Sequence, residues 1–425
     1  SIINSAPLLI SIFAILVFKY SEAIIALLIL GTFQNLEAIV NINFDPKISI
    51  SILILSSLSI LILINLRKVK LNLSLASSII ILFFLIFISS SFLFDLKILS
   101  TKDLVLFCLS IILPFFLITF FEYPIRSYFK VINFIFYICL ATTIIISPVA
   151  YDYLSLGEFL TYDDSWKVKY EQSGGVVILQ SLYLSKITGL LVIYLFFYFS
   201  VYRRSLTAKI FIFIGLIWTI LIMSLINQKM PVIAIIMSPI LFVFYIKYFL
   251  DEKLLDTLLK LRLNILIFIS ISIIIIFIFV ISAYSFRFND ITMSSHRIAI
   301  FVNYFSNFEL SYLLTGHGYG YSTLMSNSSS VHNLSLEILM DFGLIALLLY
   351  YSLILLATYK SHKIITSPII DITTKRVTLI LLNIFLYLLV LSQFSGNLIS
   401  NYNQFIIMIL IFGIYSAQGK KVIHN

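Results

Sequence analysis

The run ILIFISISIIIIFIFVI, residues 265–281, decides the fold. It carries no charge and shows no sustained two-residue alternation. Inside hydrocarbon a backbone must satisfy its own N–H and C=O groups, which leaves helices and closed barrels as the only spanning structures. A barrel strand is shorter than this run and alternates, so the run reads as a membrane-crossing helix. Outward from it, similar windows recur near 2–18, 21–36, 48–66, 73–93, 104–121, 131–149, 184–202, 209–226, 231–250, 263–283, 332–358, 377–394 and 402–417. The expectation is an all-α polytopic membrane protein, a bundle of about 12–14 transmembrane helices. The 425 residues, 61% of them hydrophobic and 11% charged, form a single integral membrane domain over 1–425 in this reading.

Lysine and arginine set the orientation, because short cytoplasmic loops keep an excess of them. One set of alternate loops holds most of the 28 basic residues, among them Arg67, Lys68, Arg203, Arg204, Lys253, Lys360, Lys363, Lys375 and Arg376. That side is assigned to the cytoplasm, with 251–262 and 359–376 as its longest loops. Two larger loops, 150–183 and 284–331, then face outward into the periplasm of a bacterial inner membrane.

The net charge of +9 is this topogenic excess together with contacts to membrane lipids, and no nucleic-acid partner is implied. Cys108 and Cys139 fall inside expected spans and read as small buried apolar residues. No nucleotide-binding glycine motif and no metal-ligand spacing occurs, so neither a metal nor another cofactor is expected. Charged groups are nearly absent from the span centres and gather at the outer ends of helices, which places chemistry at the outer surface.

The polar segment 287–333 concentrates that chemistry. It holds His296, His317 and His332, together with Arg287, Arg297 and the glycine pair Gly316 and Gly318. Convergent cations suit an anionic ligand, and the planar fork of arginine matches two phosphate oxygens. Arg297 in Ser294-Ser295-His296-Arg297 is the first candidate for a pyrophosphate, whereas Arg287 lies close enough to the preceding span for a lipid headgroup. Lys229, in the short outward turn 227–230, runs against the orientation bias and is the second candidate cation. Asn333, Glu337 and Asp341 follow one another at four-residue intervals and share a helical face, with His332 about 100° round from Asn333. Acids this close to a membrane must be paired or line a wet cavity, so the face is expected to point inward. The alternative is a helix cap, with Asn333 capping and His332 merely interfacial. The other outward loop places Tyr162, Trp166 and Tyr170 beside Asp163, Asp164 and Glu171, aromatic faces next to carboxylates as sugars favour. The ordinary aromatic belt of a membrane protein explains them equally well.

The order of these features resembles the O-antigen polymerase and O-antigen ligase superfamily of bacterial surface-polysaccharide assembly. Those are multi-span proteins with one large outward loop late in the chain. The matching stretch runs from Ser295-His296-Arg297 through Leu314-Thr315-Gly316-His317-Gly318-Tyr319-Gly320 to Val331-His332-Asn333. It continues through Leu336-Glu337 and Asp341-Phe342-Gly343-Leu344-Ile345. A weaker match covers 224–231, where the family often carries an arginine and this chain has Lys229.

The resemblance implies an inverting, metal-independent glycosyl transfer from undecaprenyl-pyrophosphate-linked oligosaccharide, with a chain-length regulator as partner. Catalytic roles are expected for His332, Arg297 and Lys229. Arg287, His296, His317, Asn333, Glu337, Tyr162, Trp166, Tyr170 and Tyr321 are expected to bind substrate. Polymerase is the first expectation. A ligase acting on lipid A-core and a flippase for the same lipid-linked glycan are the alternatives.

Overall fold

In the computed structural model the described residues are 75–93, parts of 125–144, 168–172, 175–179, 186–195, parts of 210–222, 229–250, 302, 306, 309–322, 333–394 and 402–422. The expected spans near 2–18, 21–36, 48–66, 104–121 and 263–283 lie outside them. So do Cys108, Tyr162, Trp166, Arg287, His296, Arg297 and His332.

The described chain is helical apart from one hairpin. Its longer helices are α1 (Leu75–Leu93), α2 (Lys186–Leu195), α3 (Lys229–Phe249), α4 (Leu334–Thr366), α5 (Ile372–Ser392) and α6 (Tyr402–Val422). Each falls on an apolar window of the sequence, and α4 and α5 are long and apolar enough to cross a membrane. The hairpin joins β1 (Val168–Gln172) to β2 (Gly175–Leu179) in antiparallel register, with Tyr170 opposite Val177. It gives part of the expected loop 150–183 a defined backbone.

Helix α5 is the hub. It packs on α3, α4 and α6, while α4 also packs on α1 and α6. Buried apolar residues point to every side of α5, as the successive Leu379, Ile380, Leu381 and Leu382 show, and such a helix is stable only where neighbours cover it all round. Tyr387 is fully buried and donates its hydroxyl proton to the Lys186 carbonyl at 3.4 Å. Gly189 sits directly beneath that hydroxyl, where a β-carbon would collide with it. Cys139 is buried and free, as a small apolar residue would be.

Two boundaries differ from the sequence reading. The loop expected over 359–376 is helical at both ends, since α4 continues to Thr366 and α5 begins at Ile372. Hydropathy marks where a helix leaves hydrocarbon, not where it ends. Residues 360–366 continue the helix past the apolar window, and Lys363 complements the negative C-terminal end of α4. What ends α4 is Pro368, which pushes Ser367 into the extended region (φ −61°, ψ 128°). Asp371 then caps α5 by accepting the Thr374 amide at 2.9 Å and its hydroxyl at 2.6 Å. Likewise the turn expected over 227–230 is replaced at Lys229 by the first residue of α3. Pro231 fits there because first-turn amides have no helical partner to lose.

Helix α4 is broken once, at Gly343, whose φ of 82° and ψ of −179° lie in a region open essentially to glycine alone. The break divides it into a short arm, 334–342, and a long arm, 344–366. At 1.5 Å per residue the long arm rises roughly 34 Å, close to the thickness of a bilayer's hydrocarbon core.

Candidate functional site

The segment 309–322 of the polar loop docks backbone to backbone on that break. In an unbroken helix the Met340 carbonyl would accept the Leu344 amide. Here Met340 accepts the His317 amide at 2.9 Å, and Leu344 donates to the Leu313 carbonyl at 2.8 Å. The Asp341 carbonyl, which would have taken the Ile345 amide, accepts from Gly318 at 2.9 Å. The loop thus supplies the hydrogen bonds that the helix gives up. A buried break without such replacements would cost several unpaired groups.

Two glycines make the approach close enough. A β-carbon on Gly316 (φ 70°) would run into the Asp341 carbonyl, and one on Gly343 into the Leu314 carbonyl.

The Asp341 side chain completes the joint. It is fully buried, and its two oxygens accept the amides of Gly320 at 2.9 Å and Ser322 at 2.8 Å. The expectation of an inward-facing acid that is paired or wet resolves in favour of pairing, with backbone amides as the partners. Phe87 of α1 closes the joint from the other side, its ring 5.2 Å from that of Phe342 and 5.4 Å from that of Tyr319.

His317 forms the core of the loop itself. Its ring lies between Tyr312 at 4.2 Å and Tyr321 at 3.9 Å between centroids, nearly parallel to the second. Both faces are covered, the residue is 9% exposed, and Nε2 is buried without a hydrogen-bond partner. Burial pushes the His317 pKa down, and the negative charge of Glu309 pulls the other way without reversing the shift. The ring is therefore neutral at pH 7. The Tyr321 hydroxyl is pushed up by burial first, then by Glu309 and Tyr312.

Asn333 caps α4. Its Oδ1 accepts the Leu336 amide at 2.8 Å, and its Nδ2 donates to the Gln393 carbonyl at 3.1 Å. Ser335 donates to Gln393 Oε1 at 2.7 Å, so the start of α4 is tied twice to the end of α5. Glu337 is buried one turn further on.

Of the expected site residues, the structure therefore brings His317 and Tyr321 together in one stack. It places Asn333 and Glu337 on the short arm of α4. Lys229 and Tyr170 are placed by backbone only, at the start of α3 and inside β1. Arg287, His296, Arg297, His332, Tyr162 and Trp166 lie outside the described residues. Tyr312, Ser322 and the clamping function of Asp341 were not anticipated. The closely spaced glycines at 316, 318, 320 and 343 were their signal, since each takes a positive φ.

No protein-family model matches this chain, and no curated protein matches it either.

Proposed function

We propose that this protein is a polysaccharide polymerase of the O-antigen type, acting at the periplasmic face of the bacterial inner membrane. The observation that carries the reading is the docking of segment 309–322 onto the break in α4. It fixes that segment of the polar loop against a helix long and apolar enough to cross a membrane, the same helix whose cap, Asn333, follows His332 in the chain. Fixed polar groups at a membrane surface suit a reaction in which a strongly anionic leaving group develops.

In this reading a hydroxyl of the acceptor repeat unit attacks the anomeric carbon of a donor glycan. The new C–O bond forms as the bond to undecaprenyl pyrophosphate breaks, with inversion. His332 takes the hydroxyl proton as a neutral imidazole, the form that prevails near pH 7. Arg297 and Lys229 stabilise the departing pyrophosphate, with Arg287 and His296 beside them. Tyr162, Trp166 and Tyr170 offer aromatic faces to the sugars. The buried His317 stack belongs to the loop that carries Arg287, His296 and Arg297, and a chain-length regulator is the expected protein partner.

The test is complementation of a strain lacking this gene with wild type, His332→Ala and Arg297→Ala at equal membrane levels, with the surface polysaccharide resolved on a gel. A ladder from wild type and a single repeat unit from both variants support the polymerase. Bare core in the null strain, with long glycan accumulating on its lipid carrier, would assign the ligase activity instead. Full ladders from both variants would remove the outward polar segment from the chemistry.

A further inference from the structure

At the far end of α4 from the docked loop lies a cleft of about 480 Å³, lined by Tyr359, His362, Lys363, Thr366, Ser367 and Ile369. Lys363 is its charged group, Pro368 and Ile369 give it an apolar side, and among the described residues no acid lines it. Asp371, four residues past Ser367, has both oxygens engaged by Thr374.

Lys363 is exposed and held with its Nζ 5.4 Å over the Tyr359 ring. His362 is held from the other side. Its Nδ1 lies 3.1 Å from the Tyr245 hydroxyl, and its ring stands edge-on to those of Tyr245 and Phe249. The tautomer sets which atom of that contact donates, and a ring proton on Nε2 leaves that nitrogen able to donate. Lys363, His362 and the Thr366-Ser367 turn thus border a concave space to which, among the described residues, no acid contributes.

An apolar track leads into this cleft. Leu348, Tyr351, Leu355 and Tyr359 are all exposed, with Leu355 at 70%. Steps of three and four residues place them on one face of the long arm of α4, and Lys363 and Thr366 continue that face past its last apolar residue. The sequence of surfaces along one helix is therefore hydrocarbon-like for about three turns and then cationic. A phospholipid has the same order along its length.

We propose that this cleft binds the phosphate of an anionic phospholipid, with an acyl chain lying along Leu348, Tyr351, Leu355 and Tyr359. Lys363 supplies the charge and His362 completes the recognition, while the Thr366 hydroxyl, which donates to the His362 carbonyl at 2.8 Å, fixes the turn beside them. The inference does not rest on the glycosyl-transfer reading.

The test uses the full chain in neutral detergent. Phosphatidylglycerol or phosphatidylcholine is titrated in, and native mass spectrometry counts the retained lipid. Retention of one phosphatidylglycerol in preference to phosphatidylcholine is expected. Lys363→Gln should weaken it by about fivefold, the effect of one lysine near an anionic surface. Lys363→Arg should retain it, and His362→Gln should weaken it with the protein still folded by circular dichroism. Equal retention of the two lipids, or an unchanged Lys363→Gln, overturns the proposal. Displacement of the lipid by millimolar inorganic phosphate would show that a soluble phosphate is the ligand and overturn the lipid assignment.

Discussion

Gly316 and Gly343 lie backbone against backbone, so close that a β-carbon on Gly343 would stand 2.6 Å from the Gly316 nitrogen. One belongs to the polar loop and the other to a helix long and apolar enough to cross a membrane, and neither tolerates a side chain. The loop and the helix are thereby one structural unit, although 27 residues of sequence separate the two glycines.

Gly343→Ala tests that unit directly. Alanine cannot hold φ near 82° without strain of about 1–3 kcal/mol. It also favours the helix by about 1 kcal/mol over glycine. The expected outcome is an uninterrupted α4, with the Met340–Leu344 bond restored and the loop released. Hydrogen exchange should then show faster exchange at His317 and Gly318 and slower exchange at Leu344. Unchanged exchange at all three would mean that the docking does not depend on the glycine.

Asp341→Asn separates charge from shape. The carboxylate accepts from two amides, whereas a carboxamide offers one acceptor and turns an N–H toward the other donor. One buried amide left unpaired costs about 1–3 kcal/mol. Limited proteolysis should cut the segment 316–322 in the variant and spare it in the wild type. If Gly343→Ala and Asp341→Asn act through the same joint, the double variant should lose little more than the worse single one.

The His317 stack should loosen in acid. Its folded-state pKa lies below its unfolded value, so the folded stack binds a proton more weakly than the open loop does. Its contribution is fully present above the unfolded imidazole value of about 6.5, and is lost as pH falls from there through the folded value. Exchange at Gly318 and Tyr321, corrected for intrinsic pH effects, should rise between neutral pH and pH about 5. Glu309→Gln removes the opposing charge and should steepen the rise, while His317→Gln should flatten it.

Asn333→Ala removes the cap on α4 and the tie to Gln393 together. The expected loss is about 1 kcal/mol for the cap alone. Asn333→Asp keeps the cap acceptor and loses only the donor to the Gln393 carbonyl. Exchange at the Leu336 amide should therefore rise in the alanine variant and stay near wild type in the aspartate one. In the complementation assay, a normal ladder from Asn333→Asp with a reduced one from Asn333→Ala would assign Asn333 to positioning. Equal loss from both would assign the carboxamide a direct contact with substrate.

Much of this fold is legible in hydropathy. The windows near 73–93, 231–250, 377–394 and 402–417 coincide with α1, α3, α5 and α6 because one physical quantity, transfer into hydrocarbon, governs both. The break in α4 is not legible that way. Asp341-Phe342-Gly343 reads as a tolerated glycine in a continuous helix, and only the distant partner segment 313–318 makes a non-helical φ there worth adopting. Four-residue spacing correctly placed Glu337 and Asp341 on a buried face. It could not say what Asp341 meets, because its partners are backbone amides, which carry no residue signature. His317 is a different case, since its neighbours Tyr312 and Tyr321 come from a three-residue 3-10 helix and a short helical start, both too short to show a period in the sequence.

Because Leu313, His317 and Gly318 bond to α4 through main-chain atoms, as do the amides of Gly320 and Ser322, the register of this segment is set by the number of its residues more than by their kind. Inserting or deleting one residue between Leu313 and Ser322 would shift every bond by a full peptide unit. Diversification of this surface is therefore free to exchange side chains at exposed positions such as Ser311 and Thr315, but length there is held constant.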